Sequence, residues 1–160
     1  EGSKDWKLVL AGGTEVGAEG FLDELKEMSE GYPIELTESP DFKTLKDLYG
    51  KSKFFWSASG FGINGNESPE KMEHFGITVV EAMSAGVVPV IFNGGGHKEI
   101  VEDGKSGFLW SSLEEFINKT KELMKNKQFH NFEVNAKRRA GDFSVQVFEK
   151  KVISNILQGK

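Results

Sequence analysis

The stretch EHFGITVVEAMSAGVVPVIFNGGG, Glu73 to Gly96, decides how this chain folds. Its centre, Gly76 to Ala85, has the spacing of a helix, and Gly86 stops it. The run Val88 to Phe92 (VPVIF) is apolar without alternation, as a strand covered on both faces requires. A glycine triplet, Gly94 to Gly96, follows and turns the chain out of that strand. A helix leading into a doubly covered strand is the repeating unit of a parallel sheet.

The same alternation extends in both directions. Upstream, Trp6 to Leu10 reads as a strand ending at Gly12-Gly13, and Phe21, Leu22, Leu25 and Met28 recur at helical spacing. Ile34 to Leu36 is a short strand. Pro40-Asp41 opens a helix carrying Leu45, Leu48 and Tyr49, with Asp41 as its N-cap. Phe54 to Trp56 begins another strand, and Gly60 to Met72 is a polar loop. Downstream, a short helix spans His97 to Val101, and Phe108 to Trp110 is the last strand. From Ser112 the pattern is helical, through Phe116, Leu123 and Met124 and then Phe143 to Leu157. The expected fold is α/β, a doubly wound, Rossmann-like parallel sheet, with one domain over residues 4–158. Ligands of such sheets bind at the carboxyl ends of the strands.

Bulk properties exclude several classes. The chain has 160 residues, 38% of them apolar and 28% charged, which suits one soluble globular domain. It has no cysteine, so disulfides, thiol nucleophiles and cysteine-bound metals are excluded. Net charge is −5 and uneven: residues 1–80 hold 8 basic and 15 acidic side chains, residues 81–160 hold 12 and 10. That sign argues against a nucleic-acid binder, and Lys137-Arg138-Arg139 reads as a solvated helix face. No apolar run has the length of a membrane span, and no signal-peptide pattern opens the chain.

The chemistry gathers at the start of the central helix. Free backbone N–H groups and the positive helix end make the Phe75-Gly76-Ile77-Thr78 turn an anion site suited to a diphosphate. Gly76 lets a ligand approach the backbone closely. Glu73 precedes the helix and Glu81 lies on it, eight positions later. A carboxylate accepts two hydroxyl hydrogen bonds side by side, so each glutamate suits a vicinal diol. Hydrolysis by the pair is disfavoured: eight residues of helix rise about 12 Å, against the roughly 5–9.5 Å of glycosidase pairs. Taken alone, the spacing is a weak signal, and a capped surface helix with two solvated glutamates is the better reading of it.

The run EHFGITVVEAMSAGVVPVIFNGGGHKEIVEDGKSGFLW resembles the donor-binding signature of GT-B retaining glycosyltransferases of the large group 1 family, also called family 4. The likeness extends to DWKLVLAGG, TLKDLYGKSKFFWSASGFG and LEEFINKTKELM, and covers roughly residues 5–150. The EHFGI form resembles a microbial subgroup that builds cell-surface and other glycans. The resemblance implies that Glu73, Phe75, Gly76 and Ile77 meet the transferred sugar. It implies that Glu81 holds the nucleotide ribose, that Thr78 meets the diphosphate, and that Ser39 lies against the base. It implies the donor half of an enzyme that passes a hexose from a UDP-sugar, GDP-mannose or similar donor to a glycan or lipid-linked acceptor, with no cofactor and no essential metal. A D-x-D motif is absent, and the three histidines offer no ligand set; His74 and His97 are expected in orienting or solvent roles, and His130 on a helix surface.

The chain departs from the family at its start. The resemblance implies a preceding strand and helix that carry a phosphate-neutralising arginine and lysine, and an N-terminal acceptor domain before them. Without that strand, the Trp6 to Leu10 and Phe54 to Trp56 strands are expected either to close up or to leave a gap for another copy. The expected location is cytoplasmic, with peripheral contact at the inner membrane face in the full-length protein. Two other readings stand beside this one. A nucleotide-sugar epimerase of the same fold needs acid and base residues that the sequence does not display. A non-catalytic α/β interaction module with a degenerate site is opposed by the intact Glu73/Glu81 pair.

Overall fold

A computed structural model describes residues 6–13, 20–65 and 67–157. The expected domain ends, at Lys4 and at Gln158, lie outside the described residues. The chain divides into two compact units, Glu1–Leu48 and Tyr49–Lys160.

In the first unit, β1 (Leu8–Gly12) pairs in parallel with β2 (Ile34–Glu38), Leu8 opposite Ile34 and Gly12 opposite Glu38. Helix α1 (Phe21–Ser29) joins them. Helix α2 (Phe42–Lys51) then leads across the boundary between the units. Asp41 caps it as expected, its Oδ1 accepting from Thr44 N–H at 2.7 Å. Hydrogen bonding from the Thr44 side chain first, and then this backbone bond, hold the Asp41 carboxyl below its usual range. The observed β1 starts and ends two residues later than the sequence pattern indicates. Its ladder continues through Ala11 and Gly12, opposite Thr37 and Glu38, where small residues carry no apolar signal.

In the second unit, β3 (Phe54–Ser57), β4 (Val88–Phe92) and β5 (Phe108–Trp110) form a parallel sheet with β4 central. Helices α3 (Ile77–Ser84) and α4 (His97–Ile100) cross between them. Three more follow: α5 (Leu113–Lys125), α6 (Phe129–Gly141) and α7 (Val145–Leu157). A 3₁₀ turn, Pro69–Lys71, punctuates the long loop before α3. Ser112 caps α5 by accepting from Glu115 N–H at 3.2 Å, and Glu115 accepts from Ser111 N–H at 2.7 Å.

Side chains of β4 alternate between two cores. Ile91 packs with Val79, Met83, Ile100 and Ala136 of α3, α4 and α6. Val88 and Val90 pack with Phe108, Trp110 and Leu123 on the opposite face. Burial on both faces is why VPVIF carries no polar residue. Each Å² of apolar surface so removed from water stabilises the unit by about 25 cal/mol. Trp110 is buried as expected, but Trp56 is 39% exposed, because its ring leans on Phe116 and not into either cluster.

Among the described residues every strand pairing is parallel, and the strands form two separate sheets, β1-β2 and β3-β4-β5. No described helix is long and apolar enough to cross a membrane.

Candidate functional site

Helix α3 and the loop before it stand at the carboxyl end of the β3-β4-β5 sheet, because α3 is the crossover from β3 to its parallel neighbour β4. The first intrahelical bonds of α3 run from the N–H groups of Val79 and Val80 to Gly76 O, at 3.0 and 3.2 Å. The N–H groups of Ile77 and Thr78 consequently have no helical acceptor. Gly76 enters the helix in the left-handed region, φ 98°. A Cβ there would sit 3.1 Å from Ile100 Cδ1 and 3.3 Å from His97 Cδ2. The conformation favours glycine at this position, and the space for a Cβ is tight.

Glu73 is half-buried, and its Oε1 accepts from Phe75 N–H at 3.3 Å, so the carboxylate folds back over the turn. Phe75 and Ile77 are exposed on the outer side of the turn, and Thr78 is exposed on the first turn of α3. Glu81 follows one turn further along. Six of the seven expected site residues thus stand on one continuous segment. The seventh, Ser39, belongs to the first unit, just after β2, with φ 42° and its N–H bonded to Gly12 O at 2.8 Å.

The segment is braced from two sides. The glycine turn after β4 presses against it: Gly96 N–H donates to Glu73 O at 2.8 Å, and a Cβ on Gly95 would lie 2.1 Å from that same oxygen. These glycines shape the strand-to-helix turn, as the sequence indicates, and they also fix the height of the glutamate loop. Behind it, Phe75 packs edge-on to Phe143, and the Arg139 guanidinium lies 4.8 Å from the Phe143 ring.

Arg139 was expected on a solvated face; it is instead half-buried. Its Nε donates to Ile100 O at 2.8 Å, a second nitrogen donates to Glu99 O, and Nη1 pairs with Asp142 at 2.9 Å. It closes the carbonyl end of α4, which the sequence could not show across 39 residues. Lys137 and Arg138 are exposed, as expected.

His97 is fully buried, which rules out the solvent role. Its Nδ1 lies 2.9 Å from Phe92 O, a carbonyl that only accepts, so Nδ1 carries the proton. Nε2 has no partner among the described residues. The ring therefore acts as a spacer between the end of β4 and Gly76. His74 is exposed in the glutamate loop, and His130 is exposed on α6, 3.1 Å from Glu133. No group of three His, Asp or Glu side chains comes together as a metal site among the described residues.

Sequence reading missed Tyr49. This half-buried residue near the end of α2 places its hydroxyl 3.5 Å from Thr78 O, on the side of α3 that carries Glu81. Burial first, then the charge of Glu81, pushes the phenol up to about 12. The only sequence signal was the tyrosine on the apolar face of α2, where a core role is equally natural.

Residues 2–140 match the family described as "Glycosyl transferases group 1". A Dictyostelium discoideum protein named GDP-Man:Man(3)GlcNAc(2)-PP-Dol alpha-1,2-mannosyltransferase is 32% identical over 93% of this chain and 28% of its own length. The Xenopus laevis protein of the same name is 30% identical over 93% of this chain and 30% of its own. The chain thus spans about three tenths of these relatives. Among solved structures, Anabaena HepE in complex with UDP-glucose aligns over 95% of this chain and 41% of its own, with TM-score 0.74 and 20% identity. At that identity the likeness establishes the fold. It is the GT-B, Rossmann-like α/β arrangement expected from the sequence.

Proposed function

Given that the chain belongs to the group 1 glycosyl transferases, we propose that it is the donor-binding half of a retaining, metal-independent enzyme that passes a hexose from a nucleoside diphosphate sugar to a glycan or lipid-linked acceptor. One observation carries this reading: the open start of α3, two N–H groups without helical acceptors, stands between a carboxylate before the helix and one upon it. An anionic diphosphate satisfies those N–H groups and the positive helix end. Glu73, with the backbone of Phe75, Gly76 and Ile77, receives the transferred sugar. Glu81 receives the ribose, Thr78 the diphosphate, and Ser39 the base. A helix N-terminus stabilises charge that develops on the leaving diphosphate, which is the work a metal does elsewhere.

GDP-mannose is the first donor to test, because the relatives covering 93% of the chain are named for it. UDP-glucose is the second, from the solved structure that holds it. The acceptor would be met by the part of the enzyme that lies outside the matched three tenths, so this chain by itself binds donor without turning it over. A lipid-linked acceptor places the whole enzyme in the cytoplasm at a membrane surface, as a peripheral protein.

Saturation-transfer NMR tests the assignment, using the chain with GDP-mannose, UDP-glucose, UDP-N-acetylglucosamine and ADP-glucose, repeated with Glu81→Ala. Selective saturation of one nucleotide, lost in the variant, is expected. Equal signals from the wild type and Glu81→Ala would remove Glu81 from the site. Normal product formation by this chain alone would refute its role as a half-enzyme.

A further inference from the structure

We propose that Phe61 is the floor of a sugar subsite, on which a pyranose ring stacks while Asn93 and Ser111 meet its hydroxyls. The inference rests on the glycosyl-transfer reading above for the class of its ligand, and it adds a second surface to the glutamate segment.

Geometry supplies the argument. Phe92 and Trp110 end β4 and β5 and stand opposite each other in the ladder, their rings 5.3 Å apart. The Phe61 ring, from the loop after β3, lies 5.5 Å from the first and 5.1 Å from the second. Three neighbouring strands thus bring one ring each to their carboxyl ends, where ligands of parallel sheets bind. Two of the rings serve the interior: Trp110 is buried, with its Nε1 donating to Val90 O at 3.4 Å, and Phe92 is half-buried. Phe61 is 40% exposed, so it is the ring a ligand reaches. Its loop holds it there. Phe61 N–H donates to Ala58 O at 2.9 Å, and Ile63 N–H to Gly60 O at 3.2 Å, in two successive turns. Met72 packs beneath them: a Cβ on Gly60 would lie 3.0 Å from its Cε, and one on Gly94 would lie 2.9 Å from the same atom. Met72 directly precedes Glu73, so the ring and the carboxylate share one support.

An aromatic floor with a polar rim is what a pyranose requires. One face of a sugar ring carries C–H groups, and the negative face of an aromatic ring attracts them. The hydroxyls point outward and need donors and acceptors at the edge. Just beyond the Phe92/Trp110 pair, Asn93 and Ser111 are both exposed, and Asn93 Nδ2 donates to Ser111 Oγ at 3.3 Å. That bond leaves Asn93 Oδ1, a second amide proton and the Ser111 proton available to a ligand. An apolar partner laid over Phe61 would strand this amide and hydroxyl, whereas a sugar satisfies ring and rim together. The sugar has two sources, the hexose of the donor and a unit of the acceptor glycan, which share this chemistry.

Saturation-transfer NMR of the chain tests this in two arms. One compares GDP-mannose and UDP-glucose with GDP and UDP. The other titrates methyl α-mannoside and methyl α-glucoside, with and without GDP or UDP. Wild type, F61L, F61W and N93A are compared, and thermal melts establish that each is folded. Leu keeps an apolar plug over Phe92 and Trp110 but removes the aromatic face, which Trp retains. In at least one arm the sugar's ring C–H protons should be saturated, and F61L should bind that sugar roughly three- to tenfold more weakly. F61W should stay within about twofold of wild type, and N93A should weaken the same sugar about threefold. A loss confined to the nucleotide sugars, with GDP and UDP unchanged, assigns the subsite to the donor hexose. A loss confined to the methyl glycosides assigns it to the acceptor, and losses in both arms assign it to either ring. Equal sugar binding by wild type and F61L, or equal weakening of GDP and GDP-mannose in F61L, would overturn the subsite. So would unsaturated ring protons in both arms; if a nucleotide still binds through Glu81, the donor-binding reading then stands without the subsite. If no nucleotide binds while a glycoside binds through Phe61, the subsite stands and the donor-binding reading fails.

Discussion

The two units of the chain are assembled from the same parts, parallel strands joined by helices, yet only the second has an interior. No described residue of the first unit is buried. Phe21 and Met28 of α1 are 54% and 66% exposed, and the two exposed positions of β2 (IELTE) are glutamates. In the second unit, one face of β4 is sealed by α3, α4 and α6, and on the other its side chains pack with those of β5 under α5 and the start of α6. Local pattern is enough to specify a parallel pair of strands, but a core needs elements that return from far along the chain. Candidate chemistry follows the core: Glu73 and Glu81 both stand in the sealed unit, on a segment held in place by β4 and the turn after it.

The largest effect expected from this contrast comes from Ile91→Ala. Ile91 is fully buried, and truncation should cost about 3–4 kcal/mol in a denaturant melt. A loss near 1 kcal/mol would mean that the second unit is no better packed than the first. Next comes Gly95→Ala. A Cβ 2.1 Å from Glu73 O, at a left-handed φ of 52°, forces the glutamate loop outward. It should destabilise by about 2 kcal/mol, and nucleotide-sugar binding should fall with it; unchanged affinity would detach the loop's height from its function.

Leu36→Ala, on half-buried β2, should cost only about 1–1.5 kcal/mol in the same melt. Hydrogen exchange sharpens the point: amides of β1 and β2 should exchange well before those of β4, and equal protection would contradict the contrast. The smallest effect is electrostatic. Lys53, just before β3, pairs with Glu133 of α6 at 2.7 Å. Its hydrogen bond is the largest of the influences that hold the Glu133 carboxyl below its ordinary 4.5, against desolvation. The folded value is depressed, so this stabilisation is present above the ordinary value and fades as pH falls through the folded one. Lys53→Met should lose under about 1 kcal/mol at neutral pH and show a flatter acid limb; an unchanged limb would sever Glu133 from acid stability.

Legibility in the sequence follows the range of the interaction. The bounds of β4 and β5, the Asp41 cap and the start of α3 are local, and apolar runs, capping residues and glycines announce them. The glutamate segment could be singled out because six of the seven expected site residues fall within nine consecutive positions, 73–81. Three features were hidden by distance along the chain. Tyr49 meets Thr78 across 29 residues, Arg139 meets Ile100 across 39, and His97 is buried by a fold that its neighbours Lys98 and Glu99 do not suggest. The separation of α6 from α7 was also unmarked, since Asp142 to Ser144 interrupts the helical pattern without glycine or proline beyond Gly141.

The most direct test of the central claim is chemical-shift mapping of the backbone amides on titration with GDP-mannose and UDP-glucose. The account predicts that one of them binds, and that the largest perturbations fall on the amides of Phe75, Gly76, Ile77 and Thr78. Saturable perturbations centred elsewhere, with those four amides unmoved, would contradict it.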